Sequence, residues 1–216
     1  MSSHAGAERR DETGAWWLRA LLVAQAPRPV FTALRDDSRE AVEDRQEVVA
    51  SIAFFVGVAL TLASAAAASF ADDPLRRGIV IPVWLFIAGV FVAILNYWLG
   101  GGVLFLALNV LGGRGSYRRA RHLLAFAAVP IALSLVLLPV RYAIYGGDIF
   151  RSGGSDTGAG AHAFTALELG FAVWAIILLA IGIRTIERWS WGRTAVALGL
   201  FAVLAAFAEV ALQTFG

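Results

Sequence analysis

Two glutamates and an arginine stand where apolar residues would be expected. Glu168 lies about five residues inside one long apolar stretch, Glu209 about six residues inside another, and Arg141 ends a third. At a rise of ~1.5 Å per helical residue, both carboxylates sit roughly 8–9 Å below the same edge of the apolar layer. A charge at that depth costs a few kcal/mol unless it is paired, so such groups face the interior of a helix bundle and mark function. Two uses follow. One is a proton, ion or headgroup site built from Arg141, Glu168 and Glu209. The other is an Arg141–glutamate clamp that ties helices together, or a snorkelling of these side chains to the interface.

Other polar residues suggest contacts rather than reactions. Asn96 is the strongly polar residue inside the second apolar stretch and is expected to hydrogen-bond across to another helix. A short turn runs Leu111-Gly-Gly-Arg-Gly-Ser-Tyr-Arg-Arg. Gly112, Gly113 and Gly115 can take backbone conformations that end a helix, and Ser116 can cap the next one. Arg114, Arg118 and Arg119 are suited to anionic lipid headgroups, and equally to anchoring the cytoplasmic side. Near the start, Trp16, Trp17 and Arg19 suit headgroup depth. No His-Glu-x-x-His or Gly-x-Ser-x-Gly pattern occurs, and His4, His122 and His162 are scattered, so neither catalysis nor a metal centre is expected. Asp156-Thr157-Gly158 occurs once, where aspartic-protease chemistry needs two carboxylates. No cofactor is implied.

The elements that must position these groups are five apolar stretches, at about Val48–Phe70, Ile79–Leu111, Leu123–Val140, Ala163–Ile183 and Thr194–Phe215. A membrane-crossing helix needs about 20 such residues. The chain is 59% hydrophobic and 16% charged with mean hydropathy +0.71, too apolar for one soluble core. It has no cysteine, which excludes disulfides and thiolate metal sites. All 18 basic residues are arginine, read here as the coding bias of a GC-rich bacterium. Net charge is only +2 despite a pI near 9.5, so nucleic-acid binding is not indicated.

Alternate loops differ in arginine content. The N-terminal segment, the loop holding Arg114, Arg118, Arg119 and Arg121, and the loop holding Arg184, Arg188 and Arg193 carry fourteen. The intervening loops carry four, Arg76, Arg77, Arg141 and Arg151. Cytoplasmic loops retain arginine, which places the N-terminus inside and the C-terminus outside. The expected fold is an all-α membrane protein, a bundle of five transmembrane helices with a long second helix and an N-terminal interfacial amphipathic helix. Residues 1–13 form a disordered polar tail, 14–47 an interfacial and cytoplasmic helical segment, and 48–216 the transmembrane domain. Ala15–Ala26 resembles a signal peptide, but Arg19 interrupts its core and Pro27 would follow the cut. Asp37 with Glu40 is expected to form a capping box. The small residues 63–69 are expected to let helices approach closely. The second stretch is expected to stay one helix with a weak point at Gly100–Gly102. Pro130 should kink the third.

The turn also carries a resemblance. Asn109-Val-Leu-Gly-Gly-Arg-Gly-Ser-Tyr-Arg-Arg, followed by apolar residues and Pro130, resembles the bacterial branch of the Yip1-domain membrane proteins. There a long second helix ends in Gly-Gly-(Lys/Arg)-Gly-(Ser/Thr)-aromatic and a proline follows in the third. Pro29-x-Phe31-x-x-Leu34 is similar to the segment that leads into that domain. The likeness runs from about Pro27 to the C-terminus. Ala125-Phe126 stands where members often have Gly-Tyr, and the Asp-Leu-Tyr-Gly-Pro stretch of eukaryotic members is absent. The resemblance implies five spans, a cytoplasmic N-terminus and an integral membrane scaffold or assembly factor rather than an enzyme. The expected setting is multi-pass in the inner membrane of a prokaryote. Expected partners are the lipid bilayer, another membrane protein and anionic headgroups, with a homo-oligomer compatible. The competing class is a small channel, carrier or lipid-moving protein that uses the Arg141, Glu168 and Glu209 layer.

Overall fold

The computed structural model describes residues 15–64, 72, 80–150 and 158–215, and among these every regular element is helical. Helix α1 (residues 15–22) and α2 (Pro27–Ala33) precede five long helices. These are α3 (Arg39–Leu62), α4 (Val80–Val110), α5 (Tyr117–Tyr145), α6 (Ala159–Glu187) and α7 (Trp191–Phe215). All five are long and apolar enough to cross a membrane. The chain is therefore a multi-pass membrane protein in contact with the lipid bilayer.

The start of α3, the α4–α5 turn and the α6–α7 turn share one end of the bundle with α1 and α2. We call this the basal end, and the opposite one the distal end. The tightly packed core lies toward the basal end. Val23, Phe31, Leu34, Val48, Leu104, Leu123, Phe126, Leu178 and Ile183 are nearly or fully buried in it. Proline at the first turn of α2 suits a helix start, where its missing N–H is not needed. Phe31 and Leu34 of the Pro29-x-Phe31-x-x-Leu34 segment are fully buried where α2 packs on α6.

Helix α3 begins well before the expected apolar stretch. Ser38, not Asp37, is its N-cap, and its hydroxyl accepts from the Ala41 N–H at 3.3 Å. The charged residues Arg39–Glu47 are thus the opening turns of the same helix, and position 48 falls inside it without a break. Hydropathy does not register a helix that continues into water, because polar residues on its first turns satisfy the backbone equally well. The expected small-residue run 63–69 lies mostly outside the described residues. Close approach of α3 to α4 is instead seen at Gly57, where an added Cβ would lie 2.3 Å from the Gly89 carbonyl oxygen. Gly89 and Ala93 complete that seam.

Helix α4 is continuous through the glycine triplet. The weak point takes the form of a π-helical turn at Asn96–Gly100, after which the α-helix resumes at Gly101. The helix ends as the glycines dictate. Gly112 adopts φ +77°, its N–H donates to Asn109 O at 2.9 Å, and the Gly113 N–H donates to Leu108 O at 2.8 Å. This paired closure satisfies carbonyls that the helix end would leave open. Ser116 then caps α5, accepting from the Arg119 N–H at 3.0 Å. Helix α5 is interrupted at Ala128, just ahead of Pro130, and carries a 3-10 turn at Ser134–Val136. Proline's missing N–H and ring force that interruption.

Candidate functional site

At the distal end, Arg141 from α5 and Glu168 from α6 meet at 3.2 Å, an Arg141 guanidinium N–H donating to Glu168 Oε1. Both remain partly exposed, Glu168 the more so. They stand at a cleft of about 220 Å³ between the ends of α3, α5 and α6. Leu60, Leu135, Leu138, Phe150 and Phe171 form much of its apolar wall. Glu209 is exposed on α7, and among the described residues no hydrogen bond or ion pair joins it to Arg141 or Glu168. Asn96 opens the π turn, half-buried beside a small gap lined by Ala53, Val56 and Ala128.

The basal end holds a polar cluster whose centre is Arg45. Its side chain is 0% exposed. Its Nε–H donates to His122 Nδ1 at 2.9 Å, and a terminal N–H donates to the Asp36 carbonyl at 2.8 Å. Its other terminal nitrogen lies 3.7 Å from Asp37 Oδ1. Only a neutral imidazole can accept at Nδ1, so the His122 proton is on Nε2. Asp37 gathers three side chains. It pairs with Arg45 of α3, it lies 3.8 Å from Arg119 of α5, and it accepts from the Ser116 hydroxyl at 2.5 Å. Arg119 also donates to the Arg35 carbonyl at 3.0 Å, and Arg35 donates to the Thr185 carbonyl of α6. Beside it, Asp36 accepts from the Ser38 N–H, which holds its carboxyl below the usual pKa range.

This cluster redistributes the arginines of the α4–α5 turn. Arg119 serves the interior, while Arg114 and Arg118 are exposed. The Arg114 backbone N–H donates to Glu187 at 3.1 Å, which ties the turn to the end of α6. Trp16 is buried against Phe126, with ring centroids 5.8 Å apart, and carries the guanidinium of Arg19 at 4.5 Å. Its neighbour Trp17 is exposed, together with Leu18, Leu21 and Leu22.

Arg121 fills an aromatic cage, 3.8 Å from the Trp98 ring centroid, 4.6 Å from Tyr117 and 5.0 Å from Tyr97. Such contacts favour a cation over the ring faces. Tyr117 also donates to the Trp98 carbonyl inside the π turn at 2.7 Å. The Arg121 stem crosses α4 at Gly101, where a Cβ would stand 2.3 Å from Arg121 Cγ.

Sequence reasoning missed Arg45, Asp37 and His122 as a unit because the arginine was counted only for topology. A signal was present. Val42, Arg45, Val49, Ile52 and Val56 fall at alternating spacings of three and four, one stripe of a helix, and all five are buried. Among the described residues, no three His, Cys, Asp or Glu side chains are grouped to hold a metal. What the described residues bring together at both ends are ionic and apolar contacts.

Five apolar membrane-length helices, a capped glycine turn and a folded N-terminal lead-in define a polytopic helical membrane protein. Its sequence matches the Yip1 domain over residues 25–212, and the chain belongs to the Yip1-domain family. No curated protein and no solved structure matches it.

Proposed function

We propose that this protein is a non-enzymatic scaffold, assembly or trafficking-type factor that binds and organises other membrane components. In this reading it sits in the inner membrane of a prokaryote as a bacterial-branch member, with its basal end in the cytoplasm and its C-terminus outside. One observation carries the reading. The buried Arg45 cluster fixes residues 35–38 against α3, α5 and α6, and the α1 face bearing Trp17, Leu18, Leu21 and Leu22 is left outward on that fixed base. An apolar surface held in place by a buried cluster is suited to docking on lipid and on a partner helix. Residues 14–47 then act as the interfacial and cytoplasmic segment, and residues from 48 onward as the membrane domain. Arg114 and Arg118 are free to meet anionic headgroups.

In-cell crosslinking of tagged protein followed by mass spectrometry tests it. A reproducible membrane-protein partner near one-to-one supports the scaffold; recovery of the protein alone or as a homo-oligomer overturns it. Orientation has its own check. Ser155→Cys should react with an impermeant thiol reagent on intact cells and Ser116→Cys should not. The distal cleft favours a second reading, a small carrier or lipid-moving protein using Arg141, Glu168 and Glu209. That reading requires activity from purified protein in liposomes and its loss in Glu168→Gln.

A further inference from the structure

We infer that Arg121, in its aromatic cage, binds the phosphate of an anionic phospholipid in the leaflet at the basal end. This rests on the reading above, that the protein binds membrane components, and it names a site for one of them.

The basal arginines differ in what their donors meet. Arg35, Arg45, Arg119 and Arg193 each donate to an acceptor within the protein. Arg121 meets no acceptor and no carboxylate among the described residues. Its charge is surrounded instead by the rings of Trp98, Tyr117 and Tyr97. Rings attract the cation but are poor hydrogen-bond acceptors, so the N–H donors stay unanswered. The Nε is enclosed without a partner, whereas the two terminal nitrogens remain open at the edge of the cage. A guanidinium with its outer donors free matches a phosphate, whose oxygens accept from two parallel N–H groups.

The surrounding charge selects an anion. Neither α4 nor residues 111–122 holds an acidic side chain. Arg118 stands three positions before Arg121, on the same side of α5, and is exposed. The two elements that form the site thus present two cations and no carboxylate. A zwitterionic headgroup would bring its ammonium toward Arg118, while an anionic phosphoglycerol headgroup brings none.

The position of the cage selects a lipid over free phosphate. Tryptophan, tyrosine and arginine together are the side chains of headgroup depth. Trp98 is 51% exposed, and Leu95 and Phe91 continue its outward side along α4 toward the distal end. A phosphate held at Arg121 therefore has an apolar track beside it for an acyl chain. A free phosphate ion cannot use that track.

The test uses full-length protein, stripped of lipid in detergent and offered equimolar phosphoglycerol and phosphocholine lipids with matched chains. Native mass spectrometry then reads the lipid retained. The wild type should retain the glycerol lipid about fivefold over the choline lipid. Arg121→Gln should bring that ratio close to one. Arg121→Lys keeps a charge among the rings and an alkyl stem against Gly101, so its thermal transition should stay near the wild type. Without the planar fork, its ratio should fall by about half. Arg114→Gln leaves both cations of the site in place and should keep the full ratio. Equal retention of the two lipids by the wild type, or a preference that survives both Arg121 substitutions, would overturn the assignment. Excess inorganic phosphate should leave the glycerol lipid bound; its complete displacement would give the site to the free ion and overturn the lipid. The crosslinking result for a protein partner does not depend on these outcomes, so the two readings fail separately.

Discussion

At the basal end, Arg45 is sealed from solvent with its donors directed at His122 Nδ1, the Asp36 carbonyl and Asp37. At the distal end, Arg141 and Glu168 form a pair that remains partly exposed beside a cleft. Both are arginine–carboxylate arrangements in one bundle, yet they have different consequences. A buried charge has no water to fall back on, so loss of one partner leaves the others stranded. An exposed pair can exchange its partner for water or a ligand at little net change in free energy. The first arrangement holds a fold and the second is screened by solvent.

Substitutions can sharpen that contrast, and the basal cluster should be the most sensitive. Arg45→Ala removes a fully buried side chain and strands Asp37 and His122. It should lower stability by about 3–5 kcal/mol, read from thermal or denaturant unfolding in detergent. A result within ~0.5 kcal/mol of wild type would erase the distinction between the two ends. Next in size is Gly101→Ala, which sets a Cβ against the Arg121 stem and should cost roughly 1–3 kcal/mol by overpacking. Tyr117→Phe removes the hydrogen bond to the Trp98 carbonyl and should cost about 0.5–1.5 kcal/mol. Ser116→Ala removes both the α5 cap and a hydroxyl donor to Asp37, and ~1 kcal/mol is expected for the cap alone. Smallest of all, Glu168→Gln should change stability by less than about 1 kcal/mol, because solvent screens a partly exposed pair. A large loss there would turn the distal pair into a structural clamp.

Much of the architecture was legible because lipid imposes a simple rule. Long apolar runs mark the spans, and the glycines and serine of the turn mark where α4 stops and α5 starts. Gly112 and Ser116 take those roles in the structure. The start of α3 was not legible from hydropathy, since Arg39–Glu47 are helical without being apolar. Trp16 shows another gap between composition and place. A Trp-Trp pair before a membrane domain reads as two interfacial rings, yet Trp16 turns inward onto Phe126 while Trp17 turns outward. The Arg141–Glu168 contact joins two helices across 27 positions, and depth alone suggested a shared layer without saying which glutamate would meet the arginine. The basal cluster needed the helical stripe of α3 to be read as a stripe, with an arginine admitted to it.

The π turn of α4 has a consequence for the length of the chain itself. In a regular α-helix, residues eleven positions apart fall nearly in line, because three turns take close to that number. Ala93 and Leu104 are spaced in that way, yet the segment before the turn packs on α3 and the segment after it packs on α5 and α7. One surplus residue, taken up as the wider π turn, resets the angular phase between the two halves. Deleting a single residue from Asn96–Gly100 would remove that surplus and return the helix to regular winding with both halves in their present phase. The Gly89–Ala93 seam would stay against Gly57 while Gly101 stayed beneath Arg121. Tolerance of a one-residue deletion should therefore be highest here, because the same deletion in a regular stretch of α4 would turn one half by ~100° against the other.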